Sequence, residues 1–193
     1  KRLNKEILTS YKASRMICTN FDTIPYLVAT NRLPGKTLIL CVSVKDCYVL
    51  HQQIPNSAVL VSKNNKEFTH EMKMIRDYIS KYEKLPDKYF VPSYEEAERR
   101  KAGKHAKQDS GTWHDLNVLI TTTMAREGYN LSEDSGIKNI VSCFGDDLHL
   151  TQICGRARYN LKNIVVAHTR VPYDNLGQSP YLTEQRKLFS EYM

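Results

Sequence analysis

Short apolar runs rich in valine, isoleucine and leucine recur along the chain, and segments with helical periodicity separate them. Runs of this length and composition are typical of strands that are buried on both faces of a sheet. Their alternation with helices is typical of β-α units, which build a parallel sheet. Five runs are predicted to be strands: residues 37–44, 58–61, 118–122, 140–143 and 164–168. The chain is therefore predicted to be an α/β protein with three layers, in which helices cover a central, mostly parallel sheet.

Two segments between the predicted strands place apolar residues on one helical face. Residues 45–54 do so with Cys47 and Leu50, and residues 68–82 do so with Ile75 and its neighbours along that face. Apolar residues that recur three or four positions apart lie on the same side of a helix and pack against a core. Both segments are therefore predicted to be crossover helices.

The segments outside this alternating pattern are interpreted as connections to a main domain over residues 37–170. Residues 1–36 are predicted to form a helical connection from an upstream domain, because their two or three helical pieces end in a proline-glycine turn. Residues 171–193 are predicted to form a C-terminal loop and helix. Since the chain begins at Lys1 and shows no charged-then-apolar leader, it is expected to be a fragment of a longer chain without a secretory signal.

Residues 84–113 interrupt the alternation with a proline-bounded, highly charged segment, which is interpreted as an insertion with one exposed helix over residues 94–108. Its second half carries a cluster of basic residues: Arg99, Arg100, Lys101, Lys104, His105 and Lys107. Two interpretations of this cluster stay open, a contact to DNA and a solvated helix or loop. Trp113 also has two interpretations, because a tryptophan beside a loop either stacks on a base or packs against the protein.

Composition restricts the partners and cofactors that are expected. No apolar run approaches the roughly 18 residues of a membrane-spanning helix. The five cysteines form no C-x-x-C pair, so reduced thiols in a cytoplasmic protein are expected. The six histidines show no metal-binding spacing, so no metal site is expected. The formal net charge of +7 favours a polyanionic partner, because lysines and arginines that neutralise phosphates release counterions.

The triplet Gly35-Lys36-Thr37 resembles part of a phosphate loop, in which backbone amides and a lysine hold phosphate groups. A phosphate loop follows a strand and opens a helix. Here the triplet precedes the predicted strand 37–44, and Thr30 stands where the loop needs its first glycine. The triplet is therefore predicted to be a turn into the strand.

The strand predicted over residues 118–122 ends in hydroxyl groups. Ligands bind at the carboxyl ends of strands in open α/β sheets, and Thr122 or Thr123 is expected to hydrogen-bond a phosphate there. Gly128 follows in a loop and would allow a nucleotide to approach the backbone closely. Threonines and glycines are also common in ordinary strands and turns, so this segment does not define a site by itself.

A helix predicted after the strand 140–143 carries Gln152, Gly155 and Arg156 on one face. Gly155 removes bulk where a ligand must come close. The guanidinium group of Arg156 is planar and permanently charged, so it can grip a γ-phosphate and offset the charge that develops during phosphoryl transfer. The plain alternative is an arginine favoured by the helix dipole at a helix C-terminus.

Together these segments resemble the C-terminal RecA-like domain of superfamily 2 helicases and translocases, the group to which DEAD-box and DEAH-box proteins belong. Residues 37–43 are similar to motif IV of that family, residues 122–130 to motif V, and residues 152–158, QICGRAR, to motif VI, in the family's order. The resemblance covers residues 37–170. It implies a RecA-like fold and a role as one half of an ATP-driven motor.

The resemblance implies three groups of site residues. The catalytic group acts on the γ-phosphate of ATP with two arginine fingers and a sensing glutamine: Arg156, Arg158 and Gln152. The nucleotide-binding group lies against the nucleotide: Gly128, Asn130 and Gly155. The nucleic-acid group contacts the backbone of the tracked strand: Ser43, Thr122 and Thr123.

The chain departs from the family pattern at two positions. The last arginine of the common motif VI is Tyr159 here, with the second arginine one place earlier, and the acidic residue usual in motif V is Asn130. The chain also has no phosphate loop and no Asp-Glu pair after an apolar strand to hold magnesium. ATP with magnesium is therefore expected to be bound mainly by an upstream RecA-like domain, and the isolated chain is expected to hydrolyse nothing.

Two functions remain open. The first is the second motor domain of an ATP-dependent helicase or translocase, an ATP hydrolase whose partners are nucleic acid, with DNA favoured over RNA, and the upstream domain. The second is a catalytically silent module with a helicase-like fold that binds nucleic acid or serves as a scaffold. A third, a self-sufficient phosphate-loop enzyme, rests on Gly35-Lys36-Thr37 alone.

Overall fold

The computed structural model describes residues 13–102, 110–122, 130–144, 152, 154–157 and 159–168. The strands in these residues are β1 (Ala13–Asn20), β2 (Lys36–Leu40), β3 (Ser57–Leu60), β4 (Lys88–Pro92), β5 (Gly111–Asp115), β6 (Val118–Thr121), β7 (Ile137–Ser142) and β8 (Leu161–His168). The helices whose bounds lie within these residues are α1 (Ile24–Ala29), α2 (Val44–Gln53), α3 (His70–Tyr82) and α4 (Tyr94–Lys101). A 3₁₀ turn at Phe21–Thr23 precedes α1, and another at Glu133–Ser135 precedes β7.

Six strands form one sheet in the order β1-β8-β7-β2-β6-β3, and every neighbouring pair is parallel. The strands at its centre are apolar on both faces, since Leu38, Ile39 and Leu40 of β2 are each at most 2% exposed. Burial on both faces is typical of a parallel sheet between layers of helices. The predicted α/β class with a central parallel sheet is confirmed, and so are the five predicted strands, although the first of them ends at Leu40 and not at residue 44.

Strand β1 contradicts part of the helical interpretation of residues 1–36. Ala13–Asn20 is extended and pairs with β8 along its whole length. A strand at the edge of a sheet is only half-buried, so it lacks the continuous apolar run that identifies a central strand, and its stability comes from the backbone hydrogen bonds of its partner. The helical interpretation is confirmed for α1, which has Pro25 in its first turn, where proline is favoured.

Both predicted crossover helices are confirmed as α2 and α3, and capping explains where they begin. Ser43 precedes α2 and Thr69 precedes α3, and each side-chain oxygen accepts a hydrogen bond from the backbone N–H three residues later. After α3, Glu83 adopts a left-handed conformation with φ of +53°, which ends the helix. The face of α3 that was predicted to be apolar is buried in the core: Met72, Ile75 and Ile79.

The insertion contains more regular structure than the single helix predicted for it. The helix is confirmed over Tyr94–Lys101, while residues 103–109 lie outside the described part of the chain, as do residues 171–193. Strands β4 and β5 flank α4 in sequence and form an antiparallel pair. The hydroxyl of Tyr89 in β4 donates a hydrogen bond to the carbonyl of Ser57 in β3, 2.7 Å away, and so joins this pair to the main sheet.

All five cysteines are free thiols. Hydrogen bonds with Cys143 and Cys47, together with burial, raise the pKa of the Cys41 thiol and keep it protonated at neutral pH. In the part of the chain that the structure describes, no group of three or more histidine, cysteine, aspartate or glutamate side chains is arranged to hold a metal ion. Among the same residues, no helix is long and apolar enough to cross a membrane.

A row of buried polar side chains crosses three strands near the amino end of the sheet. Asn163 in β8 donates a hydrogen bond to Oδ1 of Asn139 in β7, at 2.6 Å. Asn139 in turn donates to Oγ1 of Thr37 in β2 at 3.1 Å and to the carbonyl of Pro34 at 3.0 Å. Buried amides cost free energy unless they are paired, so this row stabilises one register of β2, β7 and β8 at the point where they begin.

We expect Asn139→Ala to lower the free energy of unfolding by at least about 2 kcal/mol, because it removes three hydrogen bonds and leaves the buried amide of Asn163 without its acceptor. Urea denaturation followed by circular dichroism measures the change. Lys162→Ala, at an exposed neighbouring position in β8, is the matched control and should change the free energy by less than about 0.5 kcal/mol. Equal losses in the two variants would contradict this role of Asn139.

Candidate functional site

The Gly35-Lys36-Thr37 triplet forms a turn into β2, as predicted. Gly35 has a φ of +89°, and Lys36 is the first residue of the strand. The ammonium group of Lys36 pairs with the carboxylate of Asp87 at 2.7 Å and donates to the carbonyl of Pro86 at 3.2 Å. The hydrogen bond from Lys36 lowers the pKa of the Asp87 carboxyl below its ordinary value. The triplet therefore anchors the start of the insertion to β2 and is not a phosphate loop.

Two predicted nucleic-acid contacts lie at the carboxyl edge of the sheet, after neighbouring strands. Ser43 follows β2 and Thr122 follows β6, and these strands pair in parallel. The backbone N–H of Cys41 donates to the carbonyl of Thr121 at 2.9 Å, so the strands stay paired up to the point where these side chains emerge. Both side chains are half-buried. The edge therefore presents two hydroxyl groups from adjacent strands.

The hydroxyl of Ser43 is engaged locally. It accepts a hydrogen bond from the backbone N–H of Asp46 at 3.1 Å and donates to the carboxylate of Asp46 at 2.7 Å. A phosphate oxygen needs a hydrogen-bond donor, and a neighbouring carboxylate repels it. Contact between Ser43 and a phosphate therefore competes with the helix cap, and Thr122 is the better-placed donor of the two.

The ends of the motif V and motif VI segments meet in a parallel backbone bridge between Leu131 and Ala157. The N–H of Leu131 donates to the carbonyl of Arg156 at 3.0 Å. Asn130 and Arg156 each precede the bridge by one residue, and both side chains are half-buried. The structure thus brings together two residues from separate segments, one predicted to bind nucleotide and the other predicted to be catalytic.

The helical part of motif VI ends earlier than the sequence predicted. Gln152 and Cys154 are helical, whereas Gly155 and Arg156 form a turn. Cys154 is buried in the core, and Gly155 after it is exposed, at a place where glycine commonly ends a helix. Arg156 is therefore positioned by the backbone bridge and not by a helical face shared with Gln152. Three further predicted site residues lie outside the described residues: Thr123, Gly128 and Arg158.

Tyr159, which departs from the family pattern, holds this region together. Its side chain is buried, and its hydroxyl shares a hydrogen bond of 2.7 Å with Oγ of Ser135. Ser135 also accepts a hydrogen bond from the backbone N–H of Ile137, the first residue of β7. Burial raises the pKa of the Tyr159 phenol, so the hydroxyl stays protonated and able to donate. Tyr159 therefore ties the segment that carries Arg156 to the start of β7.

Comparison with known proteins gave structural matches only. No protein-family model and no curated protein matches the chain. The chain is similar to the C-terminal domain of the DEAD-box protein Dbp5, with 17% identity, a TM-score of 0.40, and coverage of 92% of this chain and 84% of that one. A variant Dbp5 C-terminal domain from S. cerevisiae, bound to a Gle1 variant and IP6, gives 15% identity, a TM-score of 0.44 and the same coverage.

A second kind of match is the C-terminal part of the Fun30 ATPase domain, with 12% identity and a TM-score of 0.44. That alignment covers 89% of this chain and 52% of the matched one. The matched structures are the C-terminal domain of a DEAD-box protein and the C-terminal part of an ATPase domain.

We expect Tyr159→Phe to lower the free energy of unfolding by about 1 kcal/mol, because it removes the hydroxyl that pairs with buried Ser135 while keeping the ring. Urea denaturation measures the loss. Tyr26→Phe is the control, since Tyr26 is 55% exposed and its hydroxyl is not held in the core. If both variants retain full stability, the Tyr159 hydroxyl does not stabilise the bridge region.

Proposed function

We propose that this chain is the second motor domain of an ATP-dependent nucleic-acid helicase or translocase, and that it supplies the arginine side of an ATP site. The observation that carries the proposal is the bridge between Leu131 and Ala157, which sets Asn130 beside Arg156. The motifs that resemble motifs V and VI converge there, as a shared nucleotide site requires.

The side chains at the bridge have the charge and the hydrogen-bonding groups to bind a nucleoside triphosphate. Arg156 carries a permanent positive charge and five N–H donors, which match phosphate oxygens. Asn130 offers two amide N–H donors, which suit phosphate oxygens, and one carbonyl acceptor, which suits a sugar hydroxyl. ATP supplies the phosphoryl group that is transferred to water. In this proposal Arg156 stabilises the negative charge that develops on that group, and Asn130 orients the nucleotide.

We assign the binding of ATP and its magnesium ion mainly to an upstream domain. The chain's one candidate lysine for a phosphate loop, Lys36, is paired with Asp87 at the start of the insertion. An ATP site divided between two domains closes only when the domains approach each other, so hydrolysis is coupled to their movement. This coupling is what a motor needs.

The nucleic-acid strand is proposed to cross the carboxyl edge of the sheet at Thr122, with Ser43 beside it. A formal net charge of +7 supports a polyanionic track. Hydroxyl groups and positive charge recognise the phosphate backbone that DNA and RNA share, so the preference for DNA over RNA is an outcome to be measured.

Arg156→Ala in the full-length protein tests the motor assignment. We expect it to reduce nucleic-acid-stimulated ATP hydrolysis by about 10³-fold or more, the usual effect of losing an arginine finger, while affinity for nucleic acid changes less than about twofold. Hydrolysis is measured as phosphate release with single-stranded DNA and with RNA. Arg32→Ala, at an exposed arginine in the turn after α1, is the control and should retain full turnover.

The alternative is a catalytically silent module that binds nucleic acid or serves as a scaffold. Two residues favour it, since Tyr159 replaces the last arginine of the family's motif VI and Asn130 replaces the acidic residue of motif V. Under this alternative Arg156→Ala leaves any turnover unchanged, and affinity for nucleic acid falls steeply as salt rises. Unchanged turnover in Arg156→Ala would therefore exclude the motor assignment.

A further inference from the structure

Two aromatic side chains lie against each other on the antiparallel pair of strands in the insertion. Phe90 in β4 and Trp113 in β5 are register partners, and their ring centroids are 5.6 Å apart in an edge-to-face arrangement. Trp113 is nevertheless 60% exposed. It packs on Phe90 and leaves most of its indole surface open to solvent, so neither sequence interpretation of Trp113 is excluded by its packing.

The aromatic pair is held in place by the backbone beneath it. A Cβ atom at Gly111 would lie 2.3 Å from Cζ of Phe90 and 2.4 Å from the carbonyl oxygen of Val91. Only glycine therefore allows the Phe90 ring to lie over β5 and support Trp113. Because the ring is already packed before any partner arrives, binding to this face requires little additional ordering.

The Phe90 and Trp113 face is the outer face of the strand pair. Side chains alternate between the two faces of a strand. Tyr89, the neighbour of Phe90, points to the main sheet, where its hydroxyl bonds the carbonyl of Ser57. Lys88, two positions from Phe90, therefore shares the outer face, and its side chain is 62% exposed. Its ion pair with Asp115 is long, at 4.0 Å, and is exposed on both sides, so it holds the lysine only weakly.

Basic residues also precede β5 in the sequence. Residues 99–107 contain five lysines and arginines and one histidine with no acidic residue, and Gln108, Asp109 and Ser110 separate this run from β5. An exposed aromatic ring combined with basic residues is what binds single-stranded nucleic acid, because bases stack on the ring while cations neutralise the phosphates. Charge complementarity therefore favours a polyanion that also carries aromatic rings.

We propose that the Phe90 and Trp113 face of the insertion binds single-stranded nucleic acid, with one base stacked on the exposed surface of Trp113. This contact is additional to Thr122 and Ser43 at the sheet edge, and it rests on the proposed nucleic-acid partner. The insertion therefore binds nucleic acid at a surface outside the six-stranded sheet. Stacking tolerates any base, so the contact is independent of sequence and suits a protein that moves along a strand.

Intrinsic fluorescence tests the stacking directly, because Trp113 is the single tryptophan of the 193-residue chain. We expect saturable quenching when oligothymidylate or oligouridylate is added. An abasic oligonucleotide of equal length carries the same phosphates without bases, so it should bind without comparable quenching. Equal quenching by the abasic oligonucleotide, or no quenching by any of the three, would overturn the proposal.

Affinity measurements on variants give a second, independent result. Trp113→Ala should weaken binding of labelled oligothymidylate about fivefold or more, and Trp113→Phe should restore part of the loss. Tyr26→Ala removes an aromatic side chain of similar exposure from α1 and should bind as the unmodified chain does. Unchanged affinity in Trp113→Ala would contradict the contact, and circular dichroism verifies that the variants fold.

The experiments distinguish a failure of the stacking contact from a failure of the motor assignment. Arg156→Ala should keep the full quenching of Trp113, because Arg156 lies at the bridge with Leu131 and not on the insertion. If quenching persists while Arg156→Ala leaves ATP hydrolysis unchanged, the motor assignment is wrong and the stacking contact stands. If quenching is absent while Arg156→Ala abolishes hydrolysis, the stacking contact is wrong and the motor assignment stands.

Discussion

The parallel pairing of β2 with β6 on one side and β7 on the other is the interaction on which the rest of the structure depends. The carboxyl ends of β2 and β6 bring Ser43 and Thr122 to one edge. The amino end of β2 carries Lys36, which holds the start of the insertion, and Thr37, which closes the row of buried amides. The position of the sheet edge, the attachment of the insertion and the register of the strands therefore all depend on one strand of five residues.

The region around Arg156 is held differently, by backbone hydrogen bonds and one buried phenol. The bond from the Leu131 N–H to the Arg156 carbonyl involves no side chain, so the bridge does not depend on which residue occupies position 156. The Tyr159 hydroxyl fixes the same segment to Ser135 from within the core. The backbone and the buried phenol therefore supply the position of Asn130 and Arg156, whose own side chains are only half-buried.

The sequence predicted what depends on local pattern and missed what depends on pairing. Central strands such as β2 are continuous apolar runs and were recognisable, whereas β1 is half-buried and forms only because β8 lies beside it. The motif resemblance named Ser43 as a nucleic-acid contact, and the structure adds that its hydroxyl caps α2. The cap could have been predicted from Asp46, which stands three residues after Ser43. Nothing local indicated that Tyr159 would meet Ser135, because that contact requires the folded chain.

Strand β5 runs almost directly into β6, with only Leu116 and Asn117 between them, and Leu116 is fully buried. Trp113 and Thr122 therefore lie on one short stretch of chain, whose ends cannot be more than about 30 Å apart. Extended backbone does not lengthen under load. The insertion and the sheet edge are thus joined by a short segment of chain, which limits how far one can move from the other.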